Sequence, residues 1–103
     1  MTNEEKIRKL QFLKDHPQEI TMYFQVLDEM GDLKYRYGKY LSTNPFDMDQ
    51  EMERIDTADY ELCTGLFAAL LREDHYQEGC FKKRLESGQV DKILNRMISQ
   101  LDC

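Results

Sequence analysis

Residues 72–79, REDHYQEG, bring together the side-chain types most often used for binding and for acid–base chemistry. On a helix, Arg72 and His75 would face one another three residues apart, with Glu78 within reach of either. Neighbouring carboxylates favour the charged imidazolium, which makes His75 a candidate acid, base or pH-sensitive contact. The stronger interpretation of this run is structural, because charged residues commonly form the corner where a helix leaves the core, and Arg72 would then pair with Asp74 or Glu78. We call residues 72–79 the polar corner, and its candidate binding residues are Arg72, Asp74, His75, Tyr76 and Glu78.

Other kinds of chemistry find less support in the residue pattern. Zinc sites use pairs of Cys or His at short spacing, and His75 with Cys80 is the only close pair, while His16 and Cys103 are isolated. The Cys80 thiol lies five residues from His75, a spacing that belongs to no established nucleophile motif. The five glycines are scattered, so no phosphate-binding loop is present. We expect no metal and no cofactor, and we rank an enzyme using His75 and Glu78 third among the candidate functions.

A second candidate surface is basic and lies after the polar corner. Three predicted helices end the chain, as in a helix-turn-helix protein whose cations contact DNA phosphates. The turn before the last helix does not resemble a DNA-reading turn, however. The formal charge of −6 is also opposite to the positive footprint of a duplex-DNA binder. Nucleic-acid binding is therefore the alternative function, with candidate residues Lys82, Lys83, Arg84, Lys92 and Arg96.

The acidic residues are densest in residues 47–61, where seven carboxylates accompany Arg54 alone. Such a surface could attract a basic partner, although most acidic surfaces are simply solvated. A calcium-binding EF-hand loop does not fit, because counting from Asp47 its sixth and twelfth positions hold Met52 and Ala58 instead of glycine and glutamate.

The polar corner follows the most apolar segment of the chain. We predict a helix that begins after Asp56 or Thr57 and ends at about Arg72. Apolar residues cover it almost completely, which is typical of a central helix contacted from several sides. Gly65 would allow another helix to approach closely, and Cys63 is predicted to be an inert core thiol. The apolar residues are Leu62, Cys63, Leu66, Phe67, Ala68, Ala69, Leu70 and Leu71.

Two helices are predicted at the start of the chain. Thr2 and Glu5 have the spacing of a capping box, and the following apolar residues indicate a helix from about Asn3 to Lys14. We expect Pro17 in the first turn of the second helix, which Gly31 ends. The apolar stripe of that second helix is Ile20, Tyr23, Phe24, Leu27 and Met30.

Residues 32–42, DLKYRYGKYLS, fit either a half-buried strand or a short helix. Helix is favoured because the chain offers no second strand to pair with. The interleaved Lys, Arg and Tyr could stack on single-stranded bases, but a packed aromatic edge is the preferred interpretation. Asn44 and Pro45 are predicted to interrupt regular secondary structure, because the residue before a proline is pushed out of the helical region. Residues 46–55 are predicted to form a solvated loop with a helical turn.

Two further helices complete the predicted fold. Phe81 and Leu85 mark a short helix that Gly88 ends, and the last helix has the clearest amphipathic pattern in the chain. We predict a single all-α domain over residues 1–103, with five or six helices around the central apolar helix. The apolar stripe of the last helix is Val90, Ile93, Leu94, Met97, Ile98 and Leu101.

The run LLREDHYQEGCFKKRLESGQVDKILNRM resembles the C-terminal signature of a family of small bacterial and phage-associated proteins classified only as a domain of unknown function. In that signature an apolar helix ends in arginine, followed by an acid, a basic residue, an aromatic and Glu-Gly. His75 stands where the family more often has arginine, and Tyr76 where phenylalanine is usual. The resemblance covers roughly the last 45 residues and implies no agreed activity. The matching residues are Arg72, Asp74, His75, Tyr76, Glu78, Gly79, Gly88 and Arg96.

These observations predict a protein-binding function through the polar corner, with residues 47–61 as a second candidate surface. Three cysteines without regular spacing indicate thiols in a reducing cytoplasm rather than disulfides. The N-terminus has no apolar signal core, and no stretch approaches the roughly 18 apolar residues of a membrane-spanning helix, so we expect no membrane association. A homo-oligomer is a further expectation, because the eleven aromatics and six methionines could leave an apolar patch exposed.

Overall fold

A computed structural model describes residues 1–102, which form six α-helices and two short 3-10 helices. No strand occurs in this described range, so the all-α prediction is confirmed. Cys103, which the sequence analysis treated as isolated, lies outside the described residues. The α-helices are α1 (Asn3–Asp15), α2 (Ile20–Glu29), α3 (Met48–Glu51), α4 (Tyr60–Tyr76), α5 (Cys80–Glu86) and α6 (Gln89–Leu101), and the 3-10 helices are Tyr37–Tyr40 and Met52–Thr57.

Helix α4 is the centre of the core, as predicted. Its nine residues from Cys63 to Leu71 are all buried, and it packs against α5, α6 and the 3-10 helix Tyr37–Tyr40. A close approach at Gly65 is confirmed: the approaching group is the Tyr40 ring of that 3-10 helix, and a Cβ at Gly65 would overlap the ring. Burial raises the pKa of the Cys63 thiol to about 11, as befits a core thiol.

The ends of α4 differ from the prediction. Neither Asp56 nor Thr57 caps it, because both belong to the 3-10 helix Met52–Thr57. The cap is Asp59, whose carboxylate accepts a hydrogen bond from the Leu62 N–H at 2.8 Å. At the other end α4 continues past Arg72 to Tyr76. Most of the polar corner is therefore the last turn of a helix, and only residues 77–79 form the turn into α5.

The N-terminal helices confirm most of the sequence interpretation. Thr2 and Glu5 form the predicted capping box, in which the Glu5 N–H donates to Thr2 Oγ1 at 3.2 Å. The prediction for Pro17 was wrong, since α2 begins at Ile20. The Gln18 N–H donates to the Tyr23 hydroxyl at 3.2 Å, which fixes this connection in a non-helical form.

The segment between α2 and α4 departs most from expectation. Residues 32–42 are irregular except for the 3-10 helix Tyr37–Tyr40, so they match the short-helix alternative only in part. Residues 46–55 are not a solvated loop. They form α3 and the start of the second 3-10 helix, and Met48, Met52 and Ile55 are buried in the core. Several acidic side chains of this segment point outward while the alternate apolar ones hold it against the domain.

The C-terminal helices were predicted correctly. Gly79 and Gly88 have φ values of 90° and 88° and precede α5 and α6. Only a residue without a Cβ adopts this conformation readily, which explains both glycines. α6 buries Val90, Ile93 and Leu94 and packs against α1 and α4. Within residues 1–102, no helix is long and apolar enough to cross a membrane.

Candidate functional site

The residues of the polar corner line two different grooves. Arg72, His75 and Tyr76 face a groove of about 590 Å³ between α2, the end of α4 and residues 35–37. Glu78 faces a second groove with Lys82. We call the first one the aromatic groove, and its principal lining residues are Ile20, Phe24, Tyr35, Tyr37, Arg72, His75 and Tyr76.

Arg72 is the most unusual side chain of the aromatic groove. Its guanidinium carbon lies 5.2 Å from the centre of the Phe24 ring, a cation–π contact. Its Nε is buried and has no hydrogen-bond partner. Within residues 1–102 the guanidinium forms no ion pair, so the predicted pair with Asp74 or Glu78 was wrong. Helix α4 carries Arg72 toward α2, whereas Glu78 follows the end of the helix.

Asp74 has a structural task at the start of α5. Its Oδ1 accepts hydrogen bonds from the backbone N–H groups of Gly79, at 3.1 Å, and Phe81, at 3.0 Å. Gly79 occupies the N-cap position of α5 and has no side chain to accept those donors. Asp74 therefore supplies the missing cap from the preceding helix.

His75 and Tyr76 present an exposed aromatic pair at the mouth of the groove. Their rings meet edge to face, with centroids 5.2 Å apart, and Tyr76 is 80% exposed. In the described chain His75 hydrogen-bonds no carboxylate, so the structure does not bring His75 and Glu78 together as an acid–base pair.

A smaller groove of about 340 Å³ continues the aromatic groove along α4. The two grooves share Tyr37 and Tyr76, and the smaller one extends to Phe46 and Gln77. Tyr35, Phe46 and Tyr76 are all exposed large hydrophobic residues. The sequence marked residues 32–42 as an aromatic edge, but it did not link Phe46 to the polar corner, because the two are brought together only by the fold.

The basic candidate residues fall into two groups: partly buried arginines that bind other parts of the chain, and exposed lysines. Arg84 donates from Nε and Nη2 to both carboxylate oxygens of Glu73 and from Nη1 to Asp49 Oδ1 at 2.6 Å. The hydrogen bond with Glu73 is the main reason that the pKa of Arg84 is raised. Arg96 donates from Nε to the Ala58 carbonyl at 2.8 Å. The remaining cations of this predicted nucleic-acid surface, all exposed, are Lys82, Lys83 and Lys92.

Glu51 is a buried carboxylate that sequence analysis treated as part of an acidic surface. It is 0% exposed and accepts hydrogen bonds from the backbone and hydroxyl groups of Ser42 and Thr43 and from Arg54. Burial alone raises the pKa of Glu51, but these bonds outweigh it and lower the pKa to about 2. Glu51 thus fastens the chain before Phe46 to α3 and supports the wall of the smaller groove.

No group of three or more His, Cys, Asp and Glu side chains within residues 1–102 is placed to hold a metal ion. Comparison with protein families gives one finding: the model of a family of unknown function, DUF6508, matches residues 16–102. The match extends well beyond the C-terminal signature on which the resemblance rested. No curated protein and no solved structure matches the chain.

Proposed function

We propose that this chain, which belongs to the family of unknown function DUF6508, is a binding protein that holds a segment of a partner protein in its aromatic groove. The observation that carries the proposal is the cluster of exposed aromatic rings around the end of α4. Tyr35 is 70% exposed and Tyr76 is 80% exposed, and both line the same groove. Phe46 continues this surface through the smaller groove.

The residue types of the groove favour a protein ligand. Tyr and Arg are over-represented among the residues that dominate binding energy in protein interfaces. A tyrosine ring offers a large apolar surface with little rotamer entropy to lose, and its hydroxyl can still find a polar partner. Contiguous exposed aromatic surface is also uncommon on proteins that have no partner.

The segment that carries Tyr35 and Tyr37 into the groove is attached to α2 and α4 at three points. The Tyr35 hydroxyl donates to Asp28 at 3.4 Å, and the Tyr60 hydroxyl donates to Asp32 at 2.5 Å. The Tyr40 ring is wedged against Gly65 of α4. A site that is already ordered loses less conformational entropy on binding, which supports a binding function.

The nucleic-acid alternative has less support than the protein ligand. Arg84 donates hydrogen bonds to Glu73 and Asp49, and Arg96 donates one to the Ala58 carbonyl. Three lysines would then have to make the phosphate contacts on a protein of net charge −6. Binding to nucleic acid grows with the number of phosphates neutralised, so this surface predicts weak binding at most.

The proposal also includes a localisation: the cytoplasm of a bacterial cell, which carries the gene itself or receives it from a phage. Cys63 and Cys80 are both free thiols, as a reducing compartment requires. Fractionation of a bacterial host that expresses the chain from its own gene would test the compartment. We expect the chain in the cytoplasmic fraction, and recovery from the periplasm or the medium would contradict this part.

Selection from a random peptide library, followed by affinity measurements, tests the binding function. We expect peptides whose affinity falls about tenfold or more for Tyr76→Ala, since a central aromatic contact is worth upwards of about 1.4 kcal/mol. Phe12→Ala is the matched control, because Phe12 is an exposed aromatic (48%) on α1 outside the groove. Sedimentation of the parent alone shows whether a second copy occupies the groove. Failure to select any peptide sensitive to Tyr76 would contradict the proposal.

A further inference from the structure

Arg72 differs from every other arginine that is partly buried in the described chain. Arg54 pairs with Glu51 at 2.9 Å, Arg84 pairs with Glu73 at 2.8 Å, and Arg96 donates to the Ala58 carbonyl. Arg72 has only the Phe24 ring beneath it, and within residues 1–102 it donates no hydrogen bond. Among the partly buried arginines of residues 1–102, Arg72 alone is thus left without an acceptor, although the chain has an excess of acids.

A buried or half-buried charge is normally paired, because removing it from water without a partner is costly. Nε of Arg72 is covered, while the rest of the guanidinium keeps its access to the aromatic groove. The Phe24 ring lies on one side of the guanidinium, with its centre 5.2 Å from the guanidinium carbon. The two Nη groups donate no hydrogen bond within residues 1–102 and are available for a carboxylate, which a guanidinium can bind with two parallel hydrogen bonds.

We propose that the segment bound in the aromatic groove carries an Asp or Glu side chain that pairs with Arg72, beside an apolar side chain that packs between Tyr35 and Tyr76. This inference rests on the proposed function and specifies its ligand. The carboxylate supplies the missing counter-charge, and the apolar neighbour covers the exposed rings.

Two carboxylates close to Arg72 in the sequence are engaged with other groups. Asp74 lines the groove, but its Oδ1 is held by the Gly79 and Phe81 amides. Glu73 is taken by Arg84. Elsewhere in the chain Arg84 binds both oxygens of Glu73 through Nε and Nη2 at 2.8 and 2.9 Å. At Arg72, whose Nε is covered, the two Nη groups would have to make the corresponding pair.

The net charge of −6 opposes the approach of an acidic segment from a distance. Salt screens this repulsion beyond about 8 Å at physiological ionic strength, whereas the pair at Arg72 forms at contact in a partly desolvated groove. The net charge therefore slows association more than it weakens the bound state. A nucleic acid would meet the same repulsion at every phosphate with only one unpaired guanidinium in the groove, so an acidic protein segment is the better match.

The test uses a peptide selected on the parent and the same peptide with its Glu replaced by Gln or its Asp by Asn. The affinity of each peptide is measured by fluorescence anisotropy. We expect the parent to prefer the carboxylate peptide by about tenfold, as for a charge-assisted pair. In Arg72→Gln this preference should fall to about twofold or less while Tyr76-dependent binding persists. Arg8→Gln is the matched control, because Arg8 is exposed on α1, and it should keep the preference.

Circular dichroism and thermal unfolding establish that Arg72→Gln is folded. If that variant does not fold, Arg72→Lys replaces it, and we expect the preference to fall about threefold or more because an ammonium lacks the planar edge.

Tyr76-dependent peptides without an acid preference would overturn this inference and leave the proposed function standing. A preference as large in Arg72→Gln, or in its replacement Arg72→Lys, as in the parent would overturn it too. A different result would be that a single-stranded oligonucleotide displaces the peptide from the parent and binds the Arg72 variant more weakly than the parent. That result would assign the groove to nucleic acid. The absence of any Tyr76-dependent peptide would contradict both proposals.

Discussion

Arg84 contacts Glu73 through two parallel hydrogen bonds, from Nε to Oε1 at 2.8 Å and from Nη2 to Oε2 at 2.9 Å. Glu73 is thereby directed away from Arg72, its neighbour in the sequence. Glu73 of α4 thus connects this helix to α5, while Arg72, the residue before it, places its charge in the aromatic groove. The structural role and the proposed binding role of the polar corner therefore fall on adjacent residues.

Glu73→Gln should destabilise the domain, because Arg84 would lose the charged partner of its bidentate pair while remaining half-buried. We expect a loss of about 2 kcal/mol in the free energy of unfolding, measured by urea titration. Glu86→Gln is the control, since Glu86 is exposed at the end of α5. An unchanged unfolding midpoint in Glu73→Gln would show that the pair contributes nothing.

Glu51→Gln should remove a pH-dependent part of the stability. The folded-state pKa of Glu51 is about 2, below the ordinary value of 4.5. Its contribution is therefore present above about pH 4.5 and is lost as the pH falls toward 2. We expect Glu51→Gln to cost up to about 3 kcal/mol at pH 7 and much less near pH 2.

The matched control for that series is Glu53→Gln, which replaces an exposed carboxylate in the same segment. Unfolding of parent and both variants between pH 2 and pH 7 separates the two effects. A constant difference between the parent and Glu51→Gln across this range would mean that the charge of Glu51 is not what the hydrogen bonds stabilise.

Gly65→Ala should destabilise the fold even though alanine is the better helix former. Alanine gains about 1 kcal/mol in helix propensity, but its Cβ would overlap the Tyr40 ring. Overpacking of this kind costs about 1–3 kcal/mol, so we expect a net loss. In the background of Tyr40→Gly, which removes both the ring and the Tyr40 Cβ that would meet the new methyl group, the cost of the alanine should disappear. A stabilised single variant would mean that the Tyr40 ring moves freely.

Cys63 should resist thiol reagents in the folded protein. Its side chain is buried, and burial raises the pKa of its thiol to about 11, so little thiolate is present at pH 8. Peptide mapping after alkylation should find Cys63 unmodified under native conditions and modified in urea, while half-buried Cys80 reacts in both. Fast native labelling of Cys63 would indicate that the core around α4 opens readily.

Local patterns were sufficient for the regular parts of the fold. The apolar periodicity of α6 and the capping box of Thr2 and Glu5 depend on residues within a few positions of each other, so the sequence displays them directly. The ends of α4 were less predictable. Asp56, Thr57 and Asp59 are all good caps, and only the buried 3-10 helix before Ala58 decides among them.

The site depended on contacts between distant residues, which local spacing cannot show. Glu51 looked like one more surface acid because its partners, Ser42 and Thr43, lie nine and eight residues earlier, before Asn44 and Pro45. Arg72 was expected beside an acid of its own turn, but Phe24 lies under it instead. The sequence located the polar corner, and the fold divided it between two grooves.

Chemical-shift mapping tests most directly whether the aromatic groove is the binding surface. A peptide selected on the parent would be titrated into ¹⁵N-labelled protein. We predict that the largest backbone shifts fall at Tyr35, Tyr37, Arg72, His75 and Tyr76, and that they are much smaller in Tyr76→Ala. Shifts concentrated on α1, or around Lys82, Lys83 and Lys92, would contradict the account.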